Sequence, residues 1–253
     1  MSGPTRPFPD HFSDRAAGYA AYRPVYPPAL VDSLAGLAPG RGLAWDAGCG
    51  SGQLSLLLAQ HFDRVIATDA SAEQIAHATA HPKIEYRCAP AEASGLPDAI
   101  ADLAVAAQAA HWFDLPDYYA EVRRVARPGA VLALVSYGSV RADATVGPLI
   151  DQFYSDALGP LWPPERRLVE DGYRSLPFPF TEIATPPFEI RVDWTLADMM
   201  GYVETWSAVR AMERVEGRAP ILAFGSKLAR AWGDPRSARP VRWPLSLRVG
   251  RVS

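Results

Sequence analysis

Cysteine is scarce in this chain: Cys49 and Cys88 are the only two among 253 residues. They fall in different predicted elements and offer neither a disulfide framework nor a zinc-ligand spacing. Long hydrophobic runs are missing as well, so no segment reaches the length of a membrane span. Residues 1–10 lack the apolar stretch of a secretory signal. Neither sign of charge prevails: Lys and Arg number 25, Asp and Glu 28, for a formal net charge of −3. That balance gives no overall field to draw the chain to nucleic acid. Histidine is sparse, with five in all. His77 and His81 have the four-residue spacing of a metal pair, but the segment stops at His81-Pro82 and no acidic or cysteine partner is spaced to complete a site. Internal repeats, low-complexity tracts and charge blocks are absent. These absences predict a cytoplasmic protein of a reducing compartment, monomeric or homodimeric, with no metal, no membrane association and no nucleic-acid partner.

What is present is a globular composition, 49% hydrophobic, enough for one large α/β domain or a domain with a cap. The most informative segment is Asp46-Ala-Gly48-Cys-Gly50-Ser-Gly52, set between the apolar run Leu43-Ala44-Trp45 and a helix-like stretch over 53–62. Strand, glycine loop and helix in that order let a ligand lie directly on bare peptide groups, and the helix N-terminus offers unpaired N–H groups. A second predicted strand, over 64–68, ends in Asp69, where a carboxylate can accept both hydroxyls of a ribose. The Gly-x-Gly-x-Gly spacing differs from the Gly-x-Gly-x-x-Gly loop of nicotinamide enzymes and argues against an NAD-dependent oxidoreductase. Three glycines alone would read as a tight turn; their placement and Asp69 favour a nucleoside-cofactor site. Cys49 is a small spacer in the loop, with nothing basic beside it to make a thiolate.

Periodicity and punctuation predict helices over 29–37 and 53–62, from a Ser71-x-x-Gln74 capping box to just before Pro82, and over 117–126, 196–210 and 220–231. Strands are predicted over 43–45, 64–68, 83–88, 102–108, 130–135, 188–195 and 240–252. Residues 102–108 are nearly continuous in apolar character, as a strand buried on both faces should be. Pro244 demotes part of the last run to an edge or bulge. Five strands interleaved with helices predict a doubly wound parallel sheet. Over 138–187 the pattern breaks into prolines and aromatics, among them Phe153, Tyr154, Trp162 and Tyr173. Such aromatics need a surface to cover, and the segment is expected to cap the cofactor cleft.

Further motifs accompany the loop: residues 12–27 (FSDRAAGYAAYRPVYP), 89–97 (APAEASGLP), 107–114 (AQAAHWFD), Arg127-Pro-Gly129 and 202–210 (YVETWSAVR). Together they give a chain that resembles the type-11 class I methyltransferases dependent on S-adenosylmethionine (SAM), and within them the trans-aconitate methyltransferase-like group. The resemblance covers most of the sequence. It implies one domain over 1–253 with a lid at about 8–27 and SAM as cofactor. The implied fold is a Rossmann-like α/β sheet of seven strands in the order 3-2-1-4-5-7-6, the seventh antiparallel. It also implies that Asp46 and the backbone of Gly48, Cys49, Gly50 and Gly52 hold the methionine part of SAM, that Asp69 holds the ribose, that Ala70 contacts the adenine and that Gln108 faces the methionine end. Many relatives meet the adenine amino group with an acidic residue where this chain has Pro90, which lacks both a polar side-chain atom and an N–H. Adenine recognition therefore passes to the backbone of Ala91 or to Glu92. Tyr19, Tyr22 and Arg23 fall where the family folds its lid over the methyl donor; Arg23 is suited to the SAM carboxylate, and Tyr19 to a cofactor-binding and catalytic role.

Methyl transfer from a sulfonium is an in-line displacement in which alignment alone supplies roughly 7–11 kcal/mol of barrier lowering, with no covalent nucleophile. His111 and Trp112 follow the fourth strand at the carboxyl edge, where ligands of open α/β sheets bind. His111 could act as a general base or make one structural hydrogen bond. The resemblance points to a small organic acceptor with a carboxylate nucleophile, giving a methyl ester; a carboxylate is ionised at neutral pH and needs only positioning cations. Arg166, Arg167 and Arg210 are candidates for that role, with Trp112, Tyr154, Trp162 and Trp206 as further acceptor-binding residues. Ordinary surface ion pairing is the alternative for each arginine. The competing functions are methylation of a hydroxyl with His111 as base, and a non-catalytic SAM-binding or regulatory protein. A nucleic-acid methyltransferase is disfavoured: Gln108-Ala-Ala-His111 replaces the Asn/Asp-Pro-Pro-aromatic motif of many amino-group DNA methyltransferases.

Overall fold

The computed structural model describes Tyr22 and residues 24–252; Tyr19, Arg23 and nearly all of the expected lid lie outside the described residues. The apolar runs build its centre: β1 (Leu43–Ala47), β2 (Arg64–Asp69), β3 (Ile84–Cys88), β4 (Ala101–Ala107) and β5 (Ala126–Tyr137). They pair in parallel in the order β3-β2-β1-β4-β5. β1 is buried along its whole length and β4 up to its last residue, because helices cover both faces. On one face α1 (Pro28–Leu37) and α2 (Gln53–Leu58) set Leu30, Leu34, Leu54 and Leu58 against Val65, Leu103, Val105 and Val131. The short α3 (Ala72–Ala76) joins β2 to β3. On the other face α4 (Leu115–Val125) brings Tyr118, Val122 and Val125 onto Trp45, Ile66, Leu132 and Leu134.

The cap segment is more regular than its prolines suggest. It holds α5 (Gly147–Gln152), a π-helical turn (Phe153–Ala157), a 3-10 turn (Gly159–Leu161) and α6 (Arg166–Glu170). Pro148 and Pro160 stand in the first turns of their helices, where a missing N–H costs nothing. The chain then forms β6 (Thr181–Glu182), β7 (Glu189–Trp194), α7 (Leu196–Glu204), α8 (Ser207–Glu216), α9 (Ala219–Trp232) and β8 (Arg239–Arg251). β8 runs antiparallel to β5 on one side and to β6 on the other. The sheet order is thus β3-β2-β1-β4-β5-β8-β6, the Rossmann-like arrangement expected, with its long last strand antiparallel.

Four expectations are corrected in detail. The strand expected over 188–195 exists as β7, but it pairs with the first half of β8; the sheet edge goes to β6, two residues long and too short for periodicity to reveal. Pro240 and Pro244 share the two-residue period of Arg242, whose N–H bonds to Arg141 O on the side opposite β7. Their missing N–H groups therefore face a sparsely paired edge, and the strand stays continuous. The helix expected over 196–210 breaks at Thr205-Trp206: the Thr205 hydroxyl donates to Tyr202 O at 2.6 Å and Trp206 is extended. Finally, α3 stops at His77 rather than near Pro82. Ser71 Oγ accepts from Gln74 N, and the His77 ring turns back onto Glu73 O. Among the described residues no helix is long and apolar enough to cross a membrane.

Candidate functional site

The carboxyl ends of β1, β2 and β4 form the site. Gly48, Gly50 and Gly52 all have left-handed φ, at 68°, 55° and 85°. Gly48 N and Cys49 N donate to Thr68 O at 2.8 and 3.0 Å, which ties the loop to β2. A Cβ at Gly52 would collide with the Tyr86 ring, whereas a Cβ at Gly50 would meet no described atom nearer than Gln74 Oε1, at 3.7 Å. Gly52 is glycine because protein presses on it; Gly50 leaves bare backbone open to a ligand.

Asp69 closes the loop. Its Oδ2 accepts from Gly50 N and its Oδ1 from Ser71 N, both at 2.8 Å. An ionised carboxylate has about four acceptor positions, so these two bonds are compatible with ribose hydroxyls as further donors. Asp46, at the end of β1 and 1% exposed, accepts from Ser55 Oγ at 2.5 Å. Burial pushes its carboxyl up to about 7, and the charge of Asp69 adds to the shift. The Cys49 thiol is driven well above its ordinary range by burial and by the two carboxylates, as suits a spacer rather than a nucleophile.

At the end of β4, Gln108 has a φ of 55°, uncommon for a residue with a Cβ. Its Nε2 donates to Tyr137 O at 2.9 Å, while Oε1 is buried without a partner among the described residues. Strain and an unpaired buried acceptor both mark ligand sites. Ala70 is exposed next to Asp69, and Ala91 is buried. Glu92 accepts from Asp114 N at 2.8 Å and so holds the start of α4. Tyr22 packs on α7, where a Cβ at Gly201 would come within 2.6 Å of its ring.

The cap supplies a second cluster. The rings of Tyr154, Trp162 and Trp206 lie 4.7–5.8 Å apart, centroid to centroid. Arg166 Cζ stands 5.5 Å from the Tyr154 centroid and 5.0 Å from that of Trp162. Its Nε donates to Tyr154 Oη at 2.6 Å, and the Tyr154 hydroxyl donates to Glu170 Oε1 at 2.6 Å. Arg166 also forms an i,i+4 ion pair, its Nε lying 3.8 Å from Glu170 Oε1, while neither Nη has a hydrogen-bond partner among the described residues. Tyr154, Trp162, Arg166, Arg167 and Glu170 line a cavity of about 510 Å³. Arg210 lies one turn beyond Trp206 on α8 and is not among the lining residues. α6 packs against β5 and against the 3-10 turn Ala110–Trp112, which follows β4. There the His111 ring lies 4.8 Å from that of Trp112, centroid to centroid, tilted by 44°, and its Nδ1 lies 2.7 Å from Tyr173 Oη. Glu170 was not singled out from the sequence, and Tyr173 only as one aromatic of the 138–187 segment; each meets its partners through the folding of that segment. Among the described residues no three His, Cys, Asp or Glu side chains gather to hold a metal ion.

Comparison with known proteins follows the same lines. The family model described as a methyltransferase domain matches residues 45–134. A protein of Dictyostelium discoideum named "Putative methyltransferase" is 32% identical over 235 residues, 90% of this chain and 88% of that protein. A solved structure described as "a Putative Type II Methyltransferase from Anaeromyxobacter dehalogenans" is 51% identical, with a TM-score of 0.86, over 91% of this chain and 98% of that one. The malonyl-[acyl-carrier protein] O-methyltransferase of Pectobacterium atrosepticum is 29% identical over 191 residues, 73% of this chain and 70% of the relative.

Proposed function

The chain belongs to the class I SAM-dependent methyltransferases, and from that premise we propose that it methylates a small organic acceptor, with a carboxylate oxygen as the nucleophile. The residues present suit SAM. Gly50 leaves the loop backbone bare, the carboxyls of Asp46 and Asp69 favour a cationic ligand, and Gln108 Oε1 is an acceptor in want of a donor. In this reading Asp46, Gln108 and the loop backbone hold the methionine end, Asp69 the ribose, and Ala70, the Ala91 backbone and Glu92 the adenine. Tyr19 and Arg23 complete the set by the finer resemblance to the trans-aconitate methyltransferase-like group. When bound, SAM supplies an electrophilic methyl group on a sulfonium sulfur.

The observation that carries the acceptor class is Arg166. Its guanidinium lies over two aromatic rings beside a cavity it lines, with its Nη nitrogens unpartnered by described residues. A planar cation held by ring faces and by Tyr154 Oη is preorganised to grip an acid, while Trp162 and Tyr154 keep water from the reacting oxygen. The O-methylation in the name of the Pectobacterium relative supports an oxygen nucleophile. Arg166→Ala is expected to raise KM for the acid about tenfold or more while kcat changes little. His111→Gln should lower kcat by no more than about tenfold. A fall of ~10²-fold in kcat for His111→Gln with SAM binding unchanged would favour base catalysis on a hydroxyl instead. The direct test is S-adenosylhomocysteine (SAH) release across a panel of carboxylic acids and alcohols. Turnover of alcohols alone would overturn the carboxylate reading; SAM binding with no turnover would favour a regulatory role.

Asp46 gives the site a pH dependence. Burial pushes its carboxyl up to about 7, and a cationic ligand favours the ionised form. Below that pH, binding must expel the proton, so affinity weakens by up to about tenfold per pH unit as pH falls; above it the carboxylate is already ionised and the dependence levels off. Titration calorimetry from about pH 6 to 8 should show SAM affinity tightening several-fold, and Asp46→Asn should remove the slope. A flat profile in the parent protein would exclude Asp46 as a partner of the cationic end.

A further inference from the structure

We propose that Tyr173 is a positioning residue that fixes His111 as the Nε2–H tautomer, so that His111 serves the acceptor as a hydrogen-bond donor and not as a base. Tyr173 belongs to the cap, 62 positions beyond His111, and its Oη lies 2.7 Å from His111 Nδ1. The two rings are 5.9 Å apart, centroid to centroid. The side chain is fully buried; His111 Nδ1 is the side-chain hydrogen-bond partner of its hydroxyl among the described residues, and the His111 backbone also acts on the hydroxyl oxygen. Burial drives the Tyr173 hydroxyl far above the ordinary tyrosine range, so it keeps its proton.

That proton decides the tautomer. If Nδ1–H donated to Tyr173 Oη, the buried tyrosine hydrogen would be left without an acceptor, which is costly. Donation from Tyr173 to Nδ1 satisfies both groups, makes Nδ1 the acceptor and leaves the imidazole hydrogen on Nε2. The surrounding backbone is built to hold this arrangement. Gly172 and Tyr173 are consecutive left-handed residues, with φ of 67° and 61°, and a Cβ at Gly172 would meet Ser246 Oγ at 2.5 Å. Tyr173 N donates to Leu168 O at 2.9 Å, and its carbonyl accepts from Arg248 Nη1 at 3.2 Å. A left-handed tyrosine persists only where its surroundings over-determine it. Arg166 is near enough for its charge to act on the Tyr173 hydroxyl, so the His111 pair and the acceptor cavity are neighbours. An Nε2–H donor complements a carboxylate acceptor, which needs no base. The donor role rests on the carboxylate reading; the tautomer does not.

The test uses the full chain labelled with 15N-histidine at about pH 8, above the ordinary histidine pKa of about 6.5. The missing signals in His111→Gln identify the His111 resonances among those of the five histidines. The parent should show a pyridine-type Nδ1 and a pyrrole-type Nε2, and Tyr173→Phe, which keeps the ring, should shift the population toward the other tautomer. Tyr173→Phe should also lower kcat on the acid about five- to tenfold and leave SAH affinity unchanged, which confirms a folded cofactor site. A protonated Nδ1 in the parent, or His111 signals identical in Tyr173→Phe, would overturn the tautomer assignment. Unchanged turnover in both Tyr173→Phe and His111→Gln would overturn the donor role. With the tautomer result intact, that failure lies in the acceptor reading and not in the Tyr173–His111 pair.

Discussion

Gly50→Val is expected to weaken SAH binding by at least about 100-fold, equivalent to about 2.7 kcal/mol, in a protein that still folds. Two effects combine. A β-branched residue at a φ of 55° carries roughly 1–2 kcal/mol of left-handed strain. The new Cβ also stands where no described atom lies nearer than 3.7 Å, in the space assigned to the cofactor. Folding should survive for the same reason, since the added carbons meet ligand space before they meet core. Gly129→Val is the control. Gly129 has a φ of 76° and nothing within 4 Å of an added Cβ, so it bears the strain without the obstruction. Comparable losses of thermal stability in the two variants, with SAH affinity lost only at Gly50, would support the assignment. Parental affinity in Gly50→Val would refute it.

Asp69→Ala should reduce SAH affinity about 10- to 150-fold, the worth of a charge-assisted hydrogen bond at about 1.5–3 kcal/mol. The geometry complicates the attribution, because Asp69 also accepts from Gly50 N and Ser71 N. Its removal frees the loop as well as the ribose. An SAH analogue without ribose hydroxyls separates the two contributions in a double-mutant cycle. If Asp69 holds the ribose, the analogue should bind the parent more weakly than SAH does, and Asp69→Ala should no longer distinguish the two ligands. Equal discrimination by parent and mutant would confine Asp69 to shaping the loop.

Much of the cofactor half was legible because its signals are local. The apolar run, the three glycines and the helix are contiguous, and Asp69 closes the next strand, so the backbone that cradles a ligand can be read from neighbouring residues. Gln108 was expected to face the cofactor from its place at the end of β4; its left-handed φ and its bonds to Val135 and Tyr137 on β5 belong to the folded chain alone. Glu92 shows the limit of such reading. It was assigned to adenine, and in the folded chain it also holds Asp114 N at the start of α4, a contact that spacing does not foretell.

The sequence by itself determined the five strands of the doubly wound sheet and the class of cofactor; the order of the strands came from the family resemblance. Continuous apolar strands alternating with amphipathic helices have few ways to bury both faces. Only the tertiary structure decided which strand takes the sheet edge, where the 196–210 helix breaks, and which cap residues meet. β6 is two residues long and owes its existence to β8 beside it. The Arg166, Tyr154 and Trp162 cluster forms because α6 docks on β5 and the turn bearing His111, and that docking also delivers Tyr173 to a histidine 62 residues away. Contacts of that kind are settled by packing between distant segments, and no window of neighbouring residues contains them.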